Sequence, residues 1–333
     1  SSLGLSEHAA AGVCSTWSRA YSRQLRRCPY VDPTSVRQLA DVPTRPNGLC
    51  MLPGGVLAIS SCETNGQTAV KFVAARNDSD SQALAACRAS SLAARHFEWP
   101  MGLALTNDGL LVCCLSDLLY KFATDRSMDE LAAASALADY DQGFTRCAVH
   151  QQTQRTYAIG TTYAKQPQAG NAVVLLDANL QVIATVEAAV TAGDDPIRDI
   201  AVHGDQVIVL TSGNHAKGIG LRLLDLDGLF LRTIVTVQFR TPYALTASHG
   251  RVFVVDDDDE IAPAGDDGDD SDDDWEPGKV LHVIDIQSGD ILQSVRFNLE
   301  GEIATVLVDG DEIYIAGFGA DKVVALRFAG AEA

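Results

Sequence analysis

The sequence lacks the long apolar runs that a membrane-spanning helix requires. No stretch approaches about 18 consecutive apolar residues, although 47% of the 333 residues are hydrophobic. A transmembrane helix is therefore not predicted, while the apolar content is ample for a large core. The length alone suggests two domains, but all-β chains of this size also fold as a single unit.

Several short motifs that mark enzymes and metal sites are also missing. The chain has no G-x-S-x-G nucleophile motif, no C-x-x-C pair and no D-x-[DN]-x-[DN]-G-x(5)-E calcium loop. These absences disfavour a serine hydrolase, a zinc or redox cysteine pair and an EF-hand. No cofactor is predicted from the sequence.

Basic residues are scarce, with 25 Lys and Arg against 44 Asp and Glu, for a net charge of −19. Residues 256–276 hold 13 acidic residues and no basic one; the rest, with 31 acidic and 25 basic residues, carries −6. Nucleic-acid binding depends on Lys and Arg, so this balance disfavours it. The segment is predicted to be a solvated acidic insertion that associates weakly with Ca²⁺ or meets a basic partner.

Six segments of the chain share one pattern: an apolar run, a turn with Gly or polar residues, and a second apolar run. A third run follows each pair and a fourth follows several, all rich in Val, Ile and Leu, as strands are. Four antiparallel strands repeated six times predict an all-β, six-bladed β-propeller of four-stranded antiparallel blades. The innermost strands are predicted to begin at Pro46, Pro100, Phe144, Pro196, Pro242 and Glu302.

The two ends of the repeat array indicate how the ring closes. The last repeat stops after its third strand, whereas Ser35–Pro43 is a spare strand before the first repeat. We expect this strand to complete the last blade, because closure buries edges that would otherwise stay unpaired. The predicted organisation is an N-terminal arm (1–34), with a helix over residues 6–27, and one propeller (35–333) carrying the acidic insertion.

Two Ala-rich segments fit the repeat poorly. Ser81–Phe97 and Ser127–Tyr140 have helical propensity, yet each occupies the place of an outermost strand. Each segment is expected either to supply that strand or to leave its blade with three strands.

The repeats resemble two families of propellers. The pattern P-x-G-L-x(5)-G-x-L at Pro46 and Pro100, with a Val/Tyr-Lys-Phe third strand, resembles the NHL repeat. The runs "VVLLDANLQVIATVE" and "VLHVIDIQSGDILQSV" look like those of YVTN (YncE-like) surface propellers. The resemblance covers residues 35–328 and implies a protein-interaction platform, since tandem NHL-like repeats usually act as such. The Gly-His…Trp-Asp signature of WD repeats is absent.

In such propellers, ligands meet the face of the ring on which the innermost strands begin, here termed the upper face. Aromatic and Arg side chains anchor interfaces, so they are the candidates for partner binding. The repeat register places these residues on the upper face: Arg45, Asn47, Trp99, Phe144, Arg146, Arg198 and Tyr243. A second candidate is a docking arm that contains Arg23, Arg26 and Arg27; the alternative is an ordinary solvated helix face.

The competing hypothesis is a metal-dependent propeller hydrolase or lyase, similar to gluconolactonases. That family binds Ca²⁺ through Asn, Asp and Glu just after the Pro that precedes several inner strands. Asn47 matches, but Met101, Ile197 and Tyr243 occupy the corresponding positions elsewhere. His150, His203 and His249 are predicted to lie in turns on the opposite face, one per blade, so they are not expected to share an ion.

The sequence therefore favours a non-catalytic interaction or scaffold module, or a structural subunit, that binds a protein partner or a larger assembly. A secreted, lumenal or surface-assembly location is favoured, with the compartment left open. Cys50 and Cys147 are predicted to be small buried residues on inner strands. The adjacent Cys113 and Cys114 should point to opposite faces of their sheet, since strand side chains alternate.

Overall fold

The structure is a computed structural model that describes fourteen stretches of the chain. They are residues 30–62, 68–75, 79–92, 97, 99–115, 118–125, 127–135, 142–161, 172–186, 197–211, 220–235, 239–258, 278–319 and 321–329. Among these residues, no helix has the length and apolarity needed to cross a bilayer.

The described residues form 23 strands and one helix. In chain order the strands are β1 (Val31–Gln38), β2 (Pro46–Leu52), β3 (Val56–Cys62), β4 (Thr68–Ala74), β5 (Pro100–Leu105), β6 (Gly109–Cys114), β7 (Leu118–Ala123), β8 (Glu130–Ser135), β9 (Gln142–His150), β10 (Arg155–Thr161), β11 (Ala172–Leu176), β12 (Val182–Val186), β13 (Ile197–His203), β14 (Gln206–Thr211), β15 (Gly220–Asp225), β16 (Phe230–Val235), β17 (Ala244–Ser248), β18 (Arg251–Asp258), β19 (Gly278–Asp285), β20 (Ile291–Phe297), β21 (Glu302–Asp309), β22 (Glu312–Phe318) and β23 (Lys322–Phe328). The helix α1 (Ser79–Leu92) lies between β4 and β5.

The strands form six antiparallel sheets, which are the blades of the predicted propeller. In order, the blades are β2–β4, β5–β8, β9–β12, β13–β16, β17–β20, and β21–β23 with β1. The innermost strands β2, β5, β9, β13, β17 and β21 contact one another in cyclic order, and β21 returns to β2. The six-bladed all-β fold is therefore confirmed, with four strands in five blades and three described strands in blade one.

The hydrophobic core consists of six separate clusters, one at each interface between neighbouring blades. The cluster between blades one and two contains Val56 and Val112, and the cluster between blades six and one contains Leu57 and Ala316. Each sheet is thus buried on both faces. This explains why the inner strands are nearly continuous apolar runs rather than alternating ones.

The ring closes between the first and the last described strands. β1 pairs antiparallel with β23, and Val31 lies opposite Phe328 while Gln38 lies opposite Val324. The predicted closure is confirmed, but the closing strand starts at Val31, four residues before the predicted Ser35. The Asp32 side chain accepts a 2.9 Å hydrogen bond from the Thr34 N–H where the register shifts, so the strand continues through a local bulge that the pattern did not show.

One buried carboxylate fastens the closing strand to blade six. Glu312 accepts hydrogen bonds from Arg37 Nη2 at 3.0 Å, from Arg327 Nε at 3.1 Å and from the Tyr314 hydroxyl. Burial alone would raise the pKa of Glu312, but the hydroxyl and the two guanidinium groups outweigh it and leave the pKa below its ordinary value. The ionised carboxylate is therefore part of the closure.

One of the two Ala-rich segments forms a helix, and the other forms a strand. Ser79–Leu92 forms α1, which Arg88 ties to the ring through hydrogen bonds to Pro53 O at 3.1 Å and Thr124 O at 2.7 Å. Glu130–Ser135 instead forms β8, paired with β7. Pairing with an exposed sheet edge overrides the helical propensity of the Ala residues, because propensity is a weak determinant beside tertiary contacts.

Hydrogen bonds between turns join neighbouring blades on the lower face, where the first and second strands of each blade meet. The Asn107 N–H donates to Gln154 Oε1 at 2.8 Å, between blades two and three. The Gly250 N–H donates to His203 Nε2 at 3.2 Å, between blades four and five. The repeated histidines lie at this end of their blades, as predicted. His203 links two blades through its hydrogen bond with Gly250.

Glu312→Gln should lower the free energy of unfolding by about 1–3 kcal/mol at pH 7, because three donors lose their charged acceptor. The destabilisation by this substitution should shrink below about pH 4.3. The pKa of Glu312 is lowered in the folded state, so the ionised carboxylate stabilises the fold above the ordinary Glu pKa, and this stability is lost as Glu312 is protonated in acid. Urea unfolding from pH 7 to pH 3.5 measures this. The control is Glu300→Gln, whose exposed carboxylate lies 3.5 Å from Lys322 and should matter by less than about 0.5 kcal/mol. Equal effects of the two variants would contradict the closure role of Glu312.

A second prediction concerns pH and the lower face. Burial, and then the nearby His249, lowers the pKa of His203. The folded state therefore resists protonation, and stability is lost as the pH falls through the ordinary His value of about 6.5. In His203→Gln, which keeps an acceptor but does not titrate, the fall in Tm from pH 7.5 to pH 5.5 should be smaller than in the unmodified chain. An identical pH dependence of Tm in both proteins would show that protonation of His203 does not cause the loss of stability.

Candidate functional site

The six innermost strands surround a central channel of about 450 Å³. Residues near the beginnings of these strands meet at one mouth, which is the upper face. There Arg146 of β9 contacts Ala304 of β21, and Asp199 of β13 contacts Leu245 of β17. The channel mouth is therefore built by four blades together and is the concave site that the fold offers.

An ion pair occupies the channel mouth. Arg146 Nη2 donates to Ala304 O at 2.7 Å, and Arg146 Nε lies 3.9 Å from Asp199 Oδ1. The carboxylate of Asp199 also accepts the N–H of Ile200 at 2.9 Å and of Leu245 at 2.8 Å. The opposite charges are thus held by neighbouring blades and largely neutralise each other.

Burial changes the acidity of Asp199, which is only 4% exposed. Desolvation raises its pKa to about 6, although Arg146 and the two backbone N–H groups act in the opposite direction. At pH 7 the group is therefore mainly a carboxylate, and each of its oxygens already accepts one backbone N–H. A perturbed carboxyl group in a channel is a functional-site candidate, but structural ion pairs produce the same shift.

Sequence reasoning missed Asp199 and selected its neighbour Arg198. The side chain of Arg198 is exposed, because consecutive strand residues point in opposite directions. The sequence feature that could have identified Asp199 is its position as a single carboxylate within the apolar inner strand "IRDIAVH". Of the seven predicted upper-face residues, Arg146 lines the described channel wall.

Two residues that precede prolines project from the upper face in the same backbone conformation. Arg45 has a φ of 47° and Trp99 a φ of 51°, both in the left-handed region. The Arg45 guanidinium lies 5.5 Å from the centroid of the Phe318 ring, and the Arg45 N–H donates to Asp321 at 2.7 Å. Trp99 is 56% exposed. A left-handed non-glycine residue costs about 1–3 kcal/mol, so the structure holds both loops in a fixed, strained shape.

The predicted residues Asn47 and Phe144 lie inside the protein. Phe144 is 1% exposed and packs in the core between blades two and three. Asn47 is also buried. Repeat register placed both on the upper face, but it could not show that their side chains are buried.

The last predicted residue, Tyr243, is bound to the base of the acidic segment. Its hydroxyl donates to Asp257 Oδ2 at 2.7 Å, and Lys279 pairs with the same carboxylate. Residues Asp256–Asp258 belong to β18 and are therefore strand rather than insertion. The remainder of the acidic segment, residues 259–276, and the arm residues Arg23, Arg26 and Arg27 lie outside the described residues.

The positions that would carry metal ligands in a gluconolactonase-like site do not converge on the channel. Ile197 is buried in the core between blades three and four, and Met101 contributes its carbonyl oxygen, which accepts the Ser60 hydroxyl at 2.8 Å. Within the described part of the chain, no group of three or more His, Cys, Asp or Glu side chains is placed to hold a metal ion.

The ring of six blades around a polar channel mouth defines the protein as a six-bladed β-propeller. No protein-family profile matches the chain, and no curated protein is detectably similar to it in sequence. Similar solved structures include the hydrazine synthase of Kuenenia stuttgartiensis, with 16% identity and a TM-score of 0.56 over 87% of this chain and 78% of that chain. A gluconolactonase of Xanthomonas campestris has 13% identity and a TM-score of 0.56 over 88% of this chain and 89% of that chain. At these identities the likeness shows the shared fold alone.

Arg146→Met should lower the free energy of unfolding by about 3–5 kcal/mol at pH 7.5, because it leaves a buried carboxylate without its counter-charge. The loss should be smaller at pH 5. The pKa of Asp199 is raised above its unfolded value, so ionisation of this group costs stability as the pH rises. At pH 5 Asp199 is largely protonated and does not need the charge of Arg146. Urea unfolding at both pH values tests this. The matched control is Arg198→Met on the exposed neighbour, which should cost less stability and should not show this dependence on pH. A pH-independent loss would mean that the ion pair is not the cause.

Proposed function

We propose that this chain is a non-catalytic interaction and scaffold module whose partner binds the upper face. The observation that carries the proposal is Trp99, a large aromatic side chain that is 56% exposed on a backbone held at a φ of 51°. The Trp99 carbonyl accepts the Leu115 N–H at 3.1 Å, which fixes the loop. Exposed, preorganised Trp residues are the type that anchor protein interfaces.

The charged groups of the upper face suit recognition better than catalysis. Each oxygen of Asp199 already accepts one backbone N–H, and its charge is paired with Arg146, so the carboxylate serves contacts within the ring. A general base must reach the proton that it removes. Arg198 is exposed and Arg45 partly exposed on the same face, where they would provide the polar rim around an aromatic anchor.

The finer family assignment is part of this proposal. The P-x-G-L repeats at Pro46 and Pro100 support an NHL-type platform, in which the ring displays loops to a protein partner or a larger assembly. We assign the partner contact to Arg45, Trp99, Arg198 and Tyr243, and retain residues 1–34 with Arg23, Arg26 and Arg27 as a second, docking contact. No cofactor is required for this role.

Site-specific photo-crosslinking tests the proposal. The crosslinker p-benzoylphenylalanine is placed at residue 99, or at the exposed lower-face residue Gln152 as a matched control, in extracts of the source organism. Residue 99 should give a discrete crosslinked protein that residue 152 does not. Excess unlabelled chain should compete for it at least tenfold better than a Trp99→Ala/Arg198→Glu chain.

Two outcomes would overturn the upper-face assignment. Equal crosslinking from residues 99 and 152 would mean that no specific face is used. A product that comes instead from Phe230, an exposed apolar residue on the outer strand β16, would place the interface on the rim. The enzyme alternative is tested separately: lactone or ester hydrolysis that depends on added Ca²⁺ and is lost in Asn47→Ala would replace the scaffold proposal.

A further inference from the structure

Cysteines from three neighbouring blades gather at the wall of the central channel. Cys50 of β2 and Cys147 of β9 line the channel, and Cys113 of β6 packs with Cys147 in the core between blades two and three. All three are free thiols and are buried, as the sequence predicted for Cys50 and Cys147. Neither the scaffold role nor the Arg146–Asp199 pair uses them.

One specific pair packs together. Cys113 and Cys147 belong to the same core cluster between blades two and three, whereas Cys50 belongs to the cluster between blades one and two. The adjacent Cys114 lies in the core between blades one and two, on the other face of the sheet, as strand alternation predicts. The chain therefore contains a matched control for the pair, one residue away.

The two thiols differ in their access to small molecules. Cys147 is 9% exposed and lines the channel, while Cys113 is fully buried and burial raises its pKa well above the ordinary value. A small oxidant in the channel therefore meets Cys147 first, and Cys113 stays protonated behind it.

We propose that Cys113 and Cys147 are a peroxide-responsive dithiol that forms a disulfide between blades two and three. In the first step, Cys147 Sγ attacks one oxygen of hydrogen peroxide. The S–O bond forms, the O–O bond breaks, and Cys147 becomes a sulfenic acid as water leaves. In the second step, Cys113 Sγ attacks this sulfur, the S–S bond forms, and the hydroxyl departs as water with the Cys113 proton. Two thiols lose two electrons, and one peroxide becomes two waters.

The disulfide would act as a clamp between two blades that are otherwise joined by side-chain packing and a few turn contacts. A cross-link between these positions restricts the unfolded chain. For a chain of this size we expect Tm to rise by roughly 5–10 °C on oxidation and to return on reduction with dithiothreitol.

The experiment uses the full chain, folded, treated with a few equivalents of hydrogen peroxide at pH 7.5 and quenched with iodoacetamide. Peptide mapping without reductant should show the Cys113–Cys147 peptide pair, about 2 Da lighter than the two free peptides. The same product should form in Cys114→Ser. In Cys113→Ser the reaction should stop at the sulfenic acid of Cys147, which dimedone captures, and Cys147→Ser should give neither product.

Three results would overturn the proposal. One is a folded chain in which Cys147 stays reduced or carries only sulfinic acid. Another is a link from Cys147 to Cys50, or from Cys113 or Cys114 to any other cysteine. The third is a Cys113–Cys147 link that forms only in urea, since this would reflect the unfolded chain. The measurement on the unmodified sequence needs no variant to fold, so destabilised serine variants would not obscure it.

Discussion

Each blade of this propeller has two apolar faces, and each face must be covered by a neighbouring blade. A linear array would leave one face exposed at each end, so burial is complete only when blade six meets blade one. The ring therefore depends on the pairing of β1 with β23. Six separate core clusters follow from the same constraint, because no apolar side chain has to reach beyond the next blade.

Polar contacts complement this packing where it is weakest. On the lower face, hydrogen bonds join the turns of neighbouring blades. The bond from the Gly250 N–H to His203 is one example. These bonds add to the apolar contacts between the blades. At the upper mouth, the Arg146–Asp199 pair joins two neighbouring blades at the channel wall. A buried pair of this kind contributes little net stability but allows few alternative arrangements.

The repeat made most of the fold predictable. Blade number, innermost strands and ring closure follow from the spacing of Gly-rich turns and apolar runs, because both are local properties of the chain. The site was less accessible, because side-chain direction depends on the twist of neighbouring blades. Repeat register therefore placed Phe144 on the surface, although it is buried, and selected Arg198 rather than Asp199. The Ala-rich segment Glu130–Ser135 is a strand because it pairs with β7. Helical propensity is a local property and carries no information about this tertiary contact.

The closing strand has a consequence for biosynthesis. β1 leaves the ribosome nearly 300 residues before its partner β23, which at about 5–20 residues per second is a delay of roughly 15–60 s. During that time its edges are unpaired while the apolar blades accumulate. The composition of β1, VDPTSVRQ, with a proline, an aspartate and an arginine and mostly exposed side chains, is poorly suited to pairing with a foreign strand. The strand that waits longest for its partner is thus poorly suited to pairing with a wrong one.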